Sequence, residues 1–223
     1  MNQADRLSLP APNTAPSGSG VVRRSALVLM AASAVAACMP KPVTTLSEAD
    51  QAALAQVQTY LNGLRQFHAR FNQAGDDGEA FGLIWLQRPG RLRVQYVTPR
   101  PRLMLANHGR FLVADGTTGA MTTMPVANTP LDILLADQID FSGEVTVSQV
   151  LQQPGTVQVG LIKTGNPGQG RLTLRFTTGP MALASVVVQD AAGHTNTLAL
   201  SGLEQGGTFD PAMFHYLPPK SGA

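Results

Sequence analysis

From residue 80 onward the hydrophobic period of this chain is two, held in short bursts that Gly- or Pro-bearing turns cut off. Phe81, Leu83 and Trp85 alternate with Gly82, Ile84 and Leu86, and Arg88-Pro89-Gly90 then marks a turn. Leu92, Val94 and Tyr96 alternate with Arg91, Arg93 and Gln95, the pattern of a half-buried strand. Further strands are expected over Arg102–Ala106, Arg110–Ala114, Ala120–Met124, Val145–Gln149, Val157–Lys163, Arg171–Phe176, Leu183–Gln189, Thr195–Ser201 and Met213–Leu217. Turns at His108-Gly109, residues 165–170, Gly179-Pro180 and Gly193 separate them. Short links between successive strands make antiparallel neighbours, so the pattern predicts one meandering β domain. Composition agrees: charged residues are 13% of the chain, about half the usual ~25%. Hydrophobic residues at 43% supply a core, and Gly 22 with Pro 16 supply turns. A disordered polyelectrolyte and a bundle of charged helices are both excluded.

Two segments break the strand pattern. Ser47-Glu48-Ala49-Asp50 is a helix start, with Ser47 as N-cap and Asp50 three residues on. Leu54, Val57, Leu61 and Leu64 follow at helical spacing. Asn62-Gly63 kinks or ends the helix, and Phe67 and Phe71 flank its end or open the next element. Later, Thr129 stands as an N-cap and Pro130 at the first helical position, before the apolar Leu131, Ile133, Leu134 and Leu135. There is no internal repeat, no heptad pattern and no second domain.

The N-terminal segment is an address. Residues 1–24 are polar and end in Arg23-Arg24; a 12-residue apolar run over residues 26–37 follows, then Cys38. That run is shorter than the ~20 residues a spanning helix needs. Val35-Ala36-Ala37-Cys38 resembles a bacterial lipobox, in which the Cys is lipidated and becomes the first residue. An ordinary cleavage after Ala34-Val35-Ala36 is the alternative. The paired arginines also resemble a twin-arginine signal, although such pairs occur in ordinary export signals. The expected organisation is therefore an export signal over 1–37, a tether over 38–46 and one domain over 47–223. Removal of residues 1–37 leaves thirteen basic and thirteen acidic side chains, so the formal +2 of the whole chain belongs to the address. Global charge then gives no case for a nucleic-acid partner. The single Cys excludes an internal disulfide framework and a Cys-rich zinc site.

The search for chemistry is mostly negative. His68, His108, His194 and His215 are scattered, with no metal-ligand spacing. No nucleophile elbow, phosphate loop or dinucleotide fingerprint is present, and the Gly-rich residues 165–170 lack the lysine of a phosphate loop. No acidic pair marks a general acid and base. The reading is a non-enzyme with no cofactor and no metal. One charge pattern remains: Arg88, Arg91, Arg93, Arg100, Arg102 and Arg110 lie between Glu79 and Asp115 with no acidic residue among them. It is either an ordinary solvated strand face or a basic rim for acidic partners or anionic lipid headgroups. Arg88 differs from the rest, since it precedes Pro89 at a turn, where a fork of donors can reach another element.

Four segments resemble the periplasmic outer-membrane lipoprotein carrier family of LolA type. Phe67-His68-Ala69-Arg70-Phe71-Asn72-Gln73 resembles its helix-to-strand F-x-x-x-F-x-Q segment. Ile84 to Tyr96, containing Trp85, Arg88-Pro89, Leu92 and Val94, resembles its central W-x-x-R-P hairpin. Thr129-Pro130-Leu131 resembles its second helical element, and Phe209–Pro219 its closing strand. The resemblance implies an incompletely closed antiparallel β-barrel covered by short helices that act as a lid. It implies a monomer that binds lipoprotein acyl chains in an apolar cavity. Such a carrier takes them from an inner-membrane lipoprotein-releasing ABC transporter and delivers them through the periplasm to an outer-membrane acceptor. In the family the hairpin Arg, here Arg88, bonds to the lid and holds the empty cavity closed. Trp85, Leu92, Val94 and Tyr96 become cavity candidates, Leu92 being smaller than the aromatic usual there. If Cys38 is lipidated, the chain is instead a membrane-anchored acceptor of the same fold. A lipid-sensing envelope module is a further alternative.

Overall fold

The computed structural model describes residues 46–217; the export signal, residues 38–45 of the tether with Cys38, and residues 218–223 lie outside the described residues. The first element is helix α1 (Glu48–Gly63), capped as its sequence predicts. The Asp50 amide donates to Ser47 Oγ at 3.1 Å, and the Ser47 amide donates back to Asp50 Oδ2 at 3.3 Å. Leu54, Val57 and Leu61 are its buried stripe. Tyr60 meets the Phe176 ring edge-on at 5.7 Å, and its hydroxyl accepts the Leu183 amide at 3.0 Å.

Eleven strands follow: β1 (Gln66–Gly75), β2 (Ala80–Gln87), β3 (Arg91–Thr98), β4 (Arg102–Asn107), β5 (Arg110–Asp115), β6 (Met121–Pro125), β7 (Val145–Gln153), β8 (Thr156–Lys163), β9 (Gly170–Thr178), β10 (Met181–Asp190) and β11 (Thr195–Gln205). They form one open antiparallel sheet in the order β6-β5-β4-β3-β2-β1-β11-β10-β9-β8-β7. Two meanders thus join at the middle, where the first strand pairs with the last, Phe71 opposite Leu200. The two edges, β6 and β7, are neighbours in sequence. The residues between them carry the chain from one edge to the other, about 48 Å of sheet at ~4.8 Å per strand. That link contains helix α2 (Asp132–Leu135) and buries Ile133, Leu134, Leu135 and Ile139. With α1 it covers the inner face of an incompletely closed barrel.

Phe67 and Phe71 open the element after α1, strand β1, which is one of the two placements the sequence left open. Two expectations are corrected. Met213–Leu217 is not a strand: Pro211–Phe214 forms a 3₁₀ turn, with the Asp210 side chain accepting the Ala212 amide at 2.9 Å. Phe214 is 1% exposed, and this segment lies on the outer face by β3, where Arg93 Nη1 donates to the Met213 carbonyl at 2.8 Å. Thr129 does not cap α2; its hydroxyl donates backwards to the Val126 carbonyl at 2.8 Å and closes a preceding 3₁₀ turn, Val126–Asn128. A short hydroxyl serves one local carbonyl, and α2 starts later, at Asp132.

One glycine has a packing reason. Gly82 pairs with Phe71 on one side and Tyr96 on the other. Those two rings meet edge-on at 5.1 Å above it. A Cβ at Gly82 would lie 2.6 Å from Phe71 Cζ and 2.3 Å from the Gln95 carbonyl oxygen. Gly82→Ala is expected to cost roughly 1–3 kcal/mol, as overpacking does. Urea unfolding checks this; an unchanged midpoint would show that the strands absorb the methyl without strain.

Candidate functional site

Between the inner face and the α2 segment lies a cavity of about 490 Å³. This is within the ~300–1,000 Å³ range of small-molecule pockets. Ile84, Leu92, Val94 and Phe111 form its floor, and Pro130, Leu131 and Leu134 its roof. The floor follows from strand parity. Leu92 pairs with Leu86 and Val94 with Ile84, so one side of β2 and β3 is apolar and faces inward. Leu92, Val94 and Tyr96 lie in this wall. Trp85 does not. It pairs with Arg93 on the opposite face, and the Arg93 guanidinium sits 5.9 Å from its ring. Its neighbours Ile84 and Leu86 point inward, and a one-residue step along a strand reverses the face.

The wall is apolar with a few polar points. The Tyr96 hydroxyl donates to Gln73 Oε1 at 2.7 Å. Burial pushes its pKa up to about 12, so the phenol is neutral at physiological pH. Gln73 is itself buried and reaches the Gly78 carbonyl at 3.4 Å. Asp77, Asp190 and Asn196 lie toward one end of the cavity, at the strand ends.

The cavity's cover is held by the Arg88-Pro89-Gly90 turn. The Arg88 amide donates to the Arg65 carbonyl and the Gly90 amide to the Leu135 carbonyl, both at 2.8 Å. The Arg88 side chain, 5% exposed, reaches both helices. Nη2 donates to the Leu61 carbonyl and, at 3.2 Å, to the Leu64 carbonyl; Nη1 reaches the Ala136 carbonyl at 3.5 Å. These carbonyls lie at the C-terminal ends of α1 and α2, where helix dipoles favour a cation; that of Leu61 also accepts the Leu64 amide at 3.2 Å. Burial lowers the Arg88 pKa, with the nearby Arg65 charge acting the same way and Asp137 opposing. A guanidinium stays charged through such a shift.

Further polar contacts join the same parts. The Asn62 side-chain amide donates to the Ile139 carbonyl at 3.0 Å and accepts its amide at 2.9 Å. Arg65 forms an ion pair with Asp137 and donates to its carbonyl at 3.1 Å. Lys163 Nζ lies 2.6 Å from Asp132 Oδ2. Sequence reasoning missed Asn62 and Arg65. Their signal was a polar row, Gln58, Asn62 and Arg65, at helical spacing beside the apolar stripe.

The arginine stretch does not make one uniform rim. Arg88 turns inward, Arg93 bonds to the C-terminal segment, and Arg102 lies 5.4 Å from the Tyr96 ring and 3.7 Å from Asp77. Among the described residues no group of three or more His, Cys, Asp or Glu is placed to hold a metal ion, and no helix is long and apolar enough to cross a membrane.

A curated outer-membrane lipoprotein carrier protein of Methylococcus capsulatus is 25% identical over 183 residues, covering 78% of this chain and 87% of the relative. One from Dechloromonas aromatica is 25% identical over 178 residues, covering 75% and 84%. The solved structure of a LolA superfamily protein from Nitrosomonas europaea overlays with a TM-score of 0.41 at 10% identity, covering 73% of this chain and 97% of that one. The family model of the outer membrane lipoprotein carrier protein LolA matches residues 62–217, from the end of α1 through every strand to the C-terminal 3₁₀ turn. This chain belongs to the LolA family.

Proposed function

We propose that this protein is a periplasmic chaperone that carries lipoproteins by holding their acyl chains in the cavity beneath α2. The observation that carries the reading is an apolar cavity whose roof is held by a small set of polar contacts, those of the buried Arg88 among them, in a member of a carrier family. Each acyl methylene removed from water is worth about 0.8 kcal/mol, so an acylated protein does not cross water uncovered. A carrier must cover the chains and also release them. Contacts of Arg88 with three carbonyls are individually modest, so the roof can lift without unfolding the sheet. In this reading Leu92, Val94 and Tyr96 touch the chains, and Arg88 closes the empty cavity. The chain carries no nucleotide-binding motif, so loading draws on an inner-membrane ABC transporter and release on an outer-membrane acceptor of higher affinity.

Cys38 favours a second reading. The only Cys of the chain stands directly after the apolar export run, where lipidation would convert a carrier into an anchored acceptor. Met39 rather than an acidic residue follows it, which directs an anchored form to the outer membrane. Mass spectrometry of the mature N-terminus separates the two: diacylglyceryl-Cys38 is expected for the acceptor, and an unmodified terminus at Ala37 for the soluble carrier.

A photocrosslinker at Leu92 is expected to capture lipoprotein acyl chains in cells; capture of soluble protein alone, or of nothing, removes the cavity reading. Arg88→Leu removes the guanidinium donor to three helix-end carbonyls. It should weaken roof protection by about 1–3 kcal/mol, seen as faster hydrogen exchange in α2 and the last turn of α1, with more lipid retained. Wild-type exchange and release in that variant would take Arg88 out of the lid.

A further inference from the structure

Gln169 stands out in the cavity wall because one end of its amide is idle. It ends the 3₁₀ turn Pro167–Gln169 between β8 and β9 and is 8% exposed. Its Nε2 donates to the Ala127 carbonyl, in the link that forms the roof. Its Oε1 is buried, and no donor among the described residues reaches it. Two other hydroxyl-bearing residues of the cavity lining are engaged, Tyr96 with Gln73 at 2.7 Å and Thr129 with the Val126 carbonyl at 2.8 Å. A buried carbonyl oxygen without a donor is costly, and while the roof is down no cavity ligand reaches it; once uncovered, it favours a ligand that brings a donor.

The partner of the other end matters equally. Ala127 belongs to the roof link, so lifting the roof takes the acceptor away from Nε2. The whole primary amide then faces the opened cavity. Such a group pairs reciprocally with a secondary amide, accepting its N–H at Oε1 and donating to its carbonyl from Nε2. An ester offers the carbonyl alone. Apolar walls cannot tell an amide-linked acyl chain from an ester-linked one of equal length, whereas a site built to accept a hydrogen bond can.

We propose that Gln169 is a specificity residue that selects acyl chains joined through an amide over chains joined through an ester. This rests on the carrier reading of the cavity. It gives the carrier a way to prefer an N-acylated protein terminus over ester-linked membrane lipids, whose chains are equally apolar.

The test uses two probes that differ only at that linkage, N-methylhexadecanamide and methyl hexadecanoate, each competing with a fluorescent fatty acid for the full chain. Wild type is expected to bind the amide roughly five- to tenfold more tightly, the value of one hydrogen bond. Gln169→Met, similar in size and without the amide, should lose the preference and hold the two probes with equal affinity. Equal affinities in wild type, or a preference that persists in Gln169→Met, overturn the proposal while leaving the carrier reading in place. Failure of both probes to bind wild type overturns the carrier reading and the proposal with it. The wild-type comparison decides the matter even if the variant does not fold.

Discussion

The structure depends on a topological constraint: the two edge strands of the sheet, β6 and β7, are consecutive in the chain. An open sheet of eleven strands leaves its inner face bare unless something crosses it. Here the chain itself must cross, because it has to travel from one edge to the other. The crossing segment is apolar where it meets the sheet, at Ile133, Leu134, Leu135 and Ile139. It is polar where it meets α1, at Asp137 and the Ile139 backbone. The roof and the cavity are therefore one consequence of strand order rather than separate inventions.

Arg88 is the point where that crossing is fixed. Its charge is buried with no carboxylate among the described residues in direct contact; the carbonyl ends of two helices take the place of a counterion. This arrangement costs desolvation and returns it through several directed bonds, none of them large. A hydrophobic residue there would pack against the same neighbours but would leave helix carbonyls unpaired. The same polar economy explains why Asn62, Arg65 and Lys163 are spread along the roof instead of gathered at one place.

Much of this was legible in the sequence, and unevenly so. The alternation of Leu92, Val94 and Tyr96 with Arg91, Arg93 and Gln95 gave both the strand and its buried face, because each step changes side. The same rule, applied to Trp85 beside Ile84 and Leu86, places the indole outside; a large aromatic in a family-like motif drew the reading inward against parity. The placement of Phe67 and Phe71 stayed open between the helix end and a new strand because Ala69 and Gln73 hold inward positions that carry little hydrophobic signal. The C-terminal segment looked like a strand because Met213, Phe214 and Leu217 are apolar, yet Asp210 and Pro211 turn it into a 3₁₀ segment on the outer face. Arg88 was visible as an unusual arginine before a proline, but its three acceptors come from residues 24 to 48 positions away and only the fold brings them together. Gln169 carried no sequence signal at all, since an idle carbonyl is a property of its surroundings.

The pairing of β1 with β11 has a consequence for how the molecule tolerates damage. Phe67 lies opposite Gln205 and Gly75 opposite Asn196, so the ends of the domain meet in the centre of the sheet, with a meander on either side. In most meandering sheets the final strand is an edge, and losing it trims the fold. Here a chain cut before residue 195 is split at its midline. The two halves keep their local hairpins but lose the seam that makes them a single inner surface, and with it any shared cavity. Wholeness, in this protein, is secured last and in the middle.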